Sequence, residues 1–161
     1  MALKKIVVVS LFLMAFTATT VFADDETRKK ELTDAVDYAV KVLEGKGKAG
    51  LDDLKAFRFA GGEGYIYVTD MNAVVIMHPV APELINKDCT TIKDTKGKFF
   101  GAEMKGKAEK AGKGWTSYSW PNSKKNNTPE TKCSYFRTAN MGGQKVIVYA
   151  ALFGISEAGC Q

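Results

Sequence analysis

Lys132-Cys133-Ser134-Tyr135-Phe136-Arg137-Thr138 and Lys145-Val146-Ile147-Val148-Tyr149-Ala150-Ala151-Leu152-Phe153 flank Met141-Gly142-Gly143-Gln144. Both runs are rich in β-branched and aromatic residues, and the glycine pair between them has the composition of a tight turn. The stretch reads as a β-hairpin. Trp115 to Trp120 is a third run of the same kind, joined to the hairpin by the polar loop Pro121–Pro129. Further upstream, Tyr65–Thr69 and Val74–His78 form a second hairpin about Asp70-Met71-Asn72-Ala73. Asp70 and Asn72 look like the start of a calcium loop, but the later ligands and the closing Glu are missing, so they read as turn residues.

Helical periodicity fills the gaps. Asp25 to Leu43 carries Leu32, Ala35, Val36, Ala39, Val40 and Leu43 at three- and four-residue steps, which places them on one face. Leu51 to Phe59 reads as a short helix with Leu54 and Phe57 inward. Phe99 to Ala111 reads as an amphipathic helix with Phe100, Met104, Ala108 and Ala111 in line. Between the first hairpin and that helix lies Pro79–Lys96, a long irregular segment of the kind that often carries function. The order is helix, helix, two strands, long loop, helix, three strands. It predicts an α/β (α+β) fold: a five-stranded antiparallel sheet with a long N-terminal helix packed on one face. The other face, closed by the long loop, is expected to form a cavity.

Composition bounds the function. Lys4 and Lys5, an apolar run from Ile6 to Phe16, and Val21-Phe22-Ala23 have the order of a secretory signal peptide. The apolar run is shorter than the roughly 20 residues of a spanning helix. Residues 1–23 are therefore expected to be cleaved rather than kept as an anchor. Removing 23 of the 161 residues leaves 138, with 21 basic and 18 acidic side chains. That length suits one domain, residues 24–161, periplasmic or secreted and not membrane-spanning. The lysines are scattered and not interleaved with aromatics, which argues against nucleic acid as a partner.

The chemistry on offer is sparse. His78 is the one histidine of the chain, so no multi-histidine metal site is expected, and no cofactor motif is present. No nucleophile elbow accompanies it, and nothing marks Cys89 as activated. An enzyme is not expected. Tyr118 and Trp120 share one face of their strand, and with Trp115 and Tyr135 they supply aromatic wall for a small-molecule pocket. Lys132 and Arg137 are nearby cations able to hold a carboxylate. The three cysteines, Cys89, Cys133 and Cys160, allow three single pairings. Cys133 opens one hairpin strand and Cys160 trails its partner, which favours Cys133–Cys160.

Gly61-Gly62-Glu63-Gly64-Tyr65-Ile66-Tyr67-Val68-Thr69-Asp70, Met77-His78-Pro79, Ile92-Lys93-Asp94 with Gly97-Lys98, Gly114-Trp115 leading to Tyr118-Ser119-Trp120-Pro121, and Lys132-Cys133-Ser134-Tyr135 form an ordered set. Together they resemble the single-Cache extracellular sensor domain over about residues 27–153. The resemblance implies a PAS-like sheet and a pocket for small metabolites, often short carboxylates, as in chemoreceptors and sensor kinases. It implies pocket residues His78, Tyr118, Trp120, Lys132 and Tyr135. Ala73 departs from the family, which carries Gly in the first hairpin turn. Met141–Gln144 and Ala150–Phe153 depart from its Trp-containing turn and Gly-x-Tyr strand. In a regular strand Lys132 and Tyr135 point to opposite faces, so both reach one pocket only across an irregularity.

The expectation is a stand-alone exported Cache module that captures a small, anionic organic ligand such as a short-chain carboxylate. Its partner would be a membrane sensor or transporter in chemotaxis-related signal transduction. The alternative is a structural or interaction domain of the same fold without ligand. With His78 in the pocket, anion affinity is expected to rise as pH falls through about 6.5.

Overall fold

The computed structural model describes the backbone of residues 16–161 and the side chains from Asp24 onward. The leader predicted over residues 1–23 lies outside the fully described residues. Helices α1 (Phe16–Lys46) and α2 (Gly50–Ala56) precede a hairpin of β1 (Ile66–Asp70) and β2 (Val75–Met77). Short 3-10 turns at Pro82–Leu84 and Cys89–Thr91 punctuate the long segment that leads to α3 (Phe100–Ala111). Strands β3 (Lys113–Asn122), β4 (Thr128–Met141) and β5 (Gln144–Phe153) complete the chain. All five strands form one antiparallel sheet, as the sequence predicts, and their order is β2-β1-β5-β4-β3.

Helix α1 covers one face of the sheet. Its predicted stripe of Leu32, Ala35, Val36, Ala39, Val40 and Leu43 is buried against Ile66, Val68, Val146, Val148, Ala150 and Leu152. Each large aliphatic side chain there contributes roughly 1.5–3 kcal/mol by leaving water. The helix outruns the predicted Asp25–Leu43 because no Gly or Pro interrupts it between Phe16 and Glu44. Helix α2 falls short of its prediction: Phe57 already has extended φ/ψ of −67° and 135°.

The opposite face carries a second core of Tyr67, Phe100, Met104, Ala108, Tyr118, Phe136, Ile147 and Tyr149. Helix α3 seats Phe100, Met104 and Ala108 in it. Ala111, predicted inward, is exposed. It is the last helical residue, and Gly112 at φ 72° turns the chain away into β3.

The predicted loop Pro121–Pro129 narrows to a turn over 123–127, because its ends pair as strand, Pro121 opposite Pro129 and Asn122 opposite Thr128. Proline is tolerated there because β3 is an edge strand. Strand β5 ends at Phe153 opposite Lys132, so β4 is an edge as well at Pro129. The β4–β5 turn places Gly142 at φ 60° and Gly143 at φ 94°, the left-handed pair that a two-residue hairpin needs.

In the β1–β2 turn the Asp70 carboxylate accepts the backbone N–H groups of Asn72 and Val74 at 2.8 and 2.9 Å. After β5 the tail folds back. Ile155 is buried, and Asp25 of α1 accepts both the N–H and the hydroxyl of Ser156. A disulfide joins Cys133 to Cys160, while Cys89 is a free thiol. Among the described residues no helix is long and apolar enough to cross a membrane.

Candidate functional site

The segment after β2 is fastened across the second face of the sheet. Backbone bonds from Val75 to Lys87, Asn86 to Val75 and Cys89 to Ala73 hold its near end, and Asp94 ties its far end to β3. Its carboxylate accepts the N–H groups of Lys96, Lys98 and Ser119, each at 2.8 Å. Burial alone would raise its pKa, but those backbone donors outweigh burial and hold it below the usual range. Thr95 adds a backbone bond to the Ser119 carbonyl at 3.1 Å and a hydroxyl contact at 2.6 Å. Helix α3 closes in beside it. A Cβ on Gly101 would stand 2.1 Å from the Cys89 carbonyl oxygen, so only glycine permits the approach.

Between this cover and the sheet lies a cavity of about 1250 Å³. Strand alternation decides what faces it. Tyr118 and Trp120 on β3 point inward, and Lys132 on β4 sits directly opposite Tyr118. Phe100 of α3 stacks on Tyr118 with centroids 4.2 Å apart and meets Trp120 at 5.5 Å. Tyr65 and Tyr67, at the start of β1, bring a second pair of phenols. His78 follows β2 and lies with its ring 5.2 Å from both.

His78 is 8% exposed. Its Nδ1 accepts the Ala81 N–H at 3.0 Å, so in the neutral ring the proton sits on Nε2. Burial, reinforced by the charge of Lys132, lowers its pKa to about 4. The expected gain in anion affinity through about 6.5 is therefore replaced. His78 is a neutral donor over that whole range.

Lys132 is the unusual group. It is 7% exposed, and burial lowers its pKa to about 8. Its Nζ lies 3.5 Å from the Tyr65 hydroxyl, and over the rings of Tyr65 and Phe153 at 5.4 and 4.9 Å. Among the described residues no carboxylate pairs with it. Burial also holds the phenols of Tyr67 and Tyr118 protonated, far above their ordinary range. Together they give the cavity floor one cation and several neutral donors.

Tyr135 does not join this group. Strand β4 pairs without a break from Thr128 to Met141, so Lys132 and Tyr135 face opposite ways. Tyr135 packs against Trp115, ring centroids 4.6 Å apart and tilted by 39°, in the core beneath α1. Arg137 is on that side too, paired with Asp37 at 2.7 Å. Cys89 lines the cavity, but burial, then the charge of Asp88, raises its thiol to about 11, which leaves it inert.

Tyr65, Tyr67, Phe100 and Phe153 line the cavity without having been singled out from the sequence. The Tyr-x-Tyr alternation of 65–67 was the available signal. It marks two aromatics on one face of a strand.

The matched family model is single Cache domain 2, over residues 27–143. The chain belongs to the single Cache domain 2 family. Its members are sensory and ligand-binding modules rather than catalysts. The Cache chain is similar to a Cache chemosensory domain solved to explain carboxylic acid recognition, with 26% identity and a TM-score of 0.66. That match covers 81% of this chain and 97% of the other. The fold is shared with a periplasmic sensor domain of a chemotaxis protein, at 23% identity and a TM-score of 0.62, covering 86% and 99% of the two chains. It is shared also with a methyl-accepting chemotaxis protein from Vibrio parahaemolyticus, at 22% identity and a TM-score of 0.64, covering 83% and 96%.

Proposed function

We propose that this Cache domain is an exported, periplasmic sensory module that binds a small organic anion between its sheet and the long cover segment. The observation that carries the reading is Lys132, a buried ammonium without a carboxylate partner among the described residues. An unpaired buried charge is costly, and a ligand carboxylate would supply the missing counter-ion. His78 Nε2–H and the Tyr118 hydroxyl are the neutral donors proposed to share that carboxylate, with Trp120 as apolar wall. A similar Cache chemosensory domain, one concerned with carboxylic acid recognition, supports the ligand class. Tyr135 is left out of the proposed site.

The test is a thermal-shift screen of carboxylates and amino acids against the wild type and Lys132→Met. A ligand that binds only the native state raises stability by RT ln(1 + [L]/Kd). Carboxylates should raise the wild-type Tm and leave Lys132→Met unmoved. No shift across the whole panel would favour a structural or interaction domain without ligand. A bound domain would then pass its state to a membrane sensor or transporter.

A further inference from the structure

What hangs from the carboxylate is constrained by the charges around it. Arg28 and Lys124 are both spent on Glu63, at 3.0 and 2.9 Å. Lys125 is held by Glu130 at 2.6 Å. Among the cations that line the cavity, Lys132 alone lacks a carboxylate among the described residues. Glu83, on the turn after β2, also lines the cavity and acts electrostatically on His78. A second carboxylate on the ligand would find no free cation and would meet Glu83.

Aromatic rings stand in the remaining wall, alongside polar Asn122, Ser123, Thr131 and Ser156. The Phe100–Tyr118 stack forms one side, and Trp120 stands against it at interplanar angles of 71° and 79°. Trp120 is only partly buried by the protein itself. It lies two residues beyond Tyr118 on β3, so it is a diagonal neighbour of Lys132, about 7–8 Å away along the sheet. Ile92 and Leu84 extend the apolar lining. A two-carbon acid anchored at Lys132 would fill little of about 1250 Å³ and leave the exposed part of Trp120 wet.

We propose that the ligand is a monocarboxylate with a flat aromatic body, its single carboxylate at Lys132 and its ring against the exposed surface of Trp120, beside the Phe100–Tyr118 stack. This rests on the reading of Lys132 as the anion anchor. Aromatic contact adds to burial, so a ring is preferred over an alkyl stub.

Calorimetry with acetate, phenylacetate and succinate separates the two levels. Phenylacetate should bind at least tenfold more tightly than acetate or succinate. Trp120→Ala should weaken phenylacetate about tenfold and acetate much less, and Trp120→Leu, which keeps the site apolar, should show the same pattern if Ala unfolds the domain. Acetate or succinate binding as tightly as phenylacetate would overturn the aromatic monocarboxylate while leaving the anion site standing. So would a Trp120 loss shared equally by acetate. Binding of none of the three, or binding untouched by Lys132→Met, would overturn the anchor itself.

Discussion

Lys132 makes the domain's behaviour depend on pH in a window where an ordinary lysine would be silent. With the empty-state pKa at about 8, the amine is charged below that pH and neutral above it. Carboxylate affinity should therefore be flat from about pH 5.5 to 7.5, because His78 stays neutral there. It should fall by up to about tenfold per unit above pH 8, which titration calorimetry at pH 6, 7 and 9 would record. Flat affinity through pH 9.5 would exclude Lys132 as the anchor. Stability of the empty domain runs the other way. Between about 8 and the unfolded value of 10.5 the unfolded chain binds the extra proton, so stability rises with pH through that window. Below pH 8 the full cost of the buried charge is present, roughly 3 kcal/mol from the size of the shift. Lys132→Met should remove most of it, raising the empty-state Tm by several degrees while abolishing ligand stabilisation. A Tm that drops in that variant would mean the ammonium is already satisfied by the protein.

At the scale of elements, Asp94 is a main fastener of the cover segment's far end. Asp94→Ala would strand three backbone donors, one of them the buried Ser119 N–H, at a cost of roughly 2–4 kcal/mol. Urea denaturation measures that loss. Amide exchange should show Lys96, Lys98 and Ser119 opening first, and unchanged protection there would refute the fastener role. Ala73 offers the opposite sign. It sits at φ 65° in the β1–β2 turn, a conformation that costs a residue with a Cβ about 1–2 kcal/mol. Ala73→Gly should raise Tm by a few degrees, and Ala73→Val should lower it. These positions also mark what could be read in advance. The α1 stripe and the strands were legible because each carries its own period, 3.6 or 2. So was the conflict between Lys132 and Tyr135, but only the pairing of Lys132 with Tyr118 shows that Lys132 is the one at the cavity. The cover was not legible. Asp94 reaches Ser119 across 25 residues, and Gly101 matters only because the Cys89 carbonyl arrives beside it. Such contacts have no local period. The lowered pKa values of His78 and Lys132 follow from the same non-local burial.

Over the whole molecule, the tail after β5 is secured twice, by Asp25 on Ser156 and by the disulfide between Cys133 and Cys160. The bridge spans 27 residues of sequence, a closed loop worth roughly 3–4 kcal/mol on the chain-entropy account. Replacing both cysteines by serine should lower stability by up to that amount in urea titrations. Because Lys132 faces the cavity from the strand position beside Cys133, ligand affinity should be retained as long as β4 stays paired. A variant that keeps its stability but loses its ligand would tie the bridge to the site rather than to the fold. The buried amine has one more consequence, for how the molecule is seen from a distance. At pH 7 a carboxylate joins a charged Lys132, and the complex carries one more negative charge than the empty domain. At pH 9 the amine starts neutral, so each anion enters together with a proton drawn from the buffer. What is taken up is then the neutral acid. Occupancy should shift electrophoretic mobility at pH 7 and leave it nearly unchanged at pH 9, where the domain fills without altering its outward field.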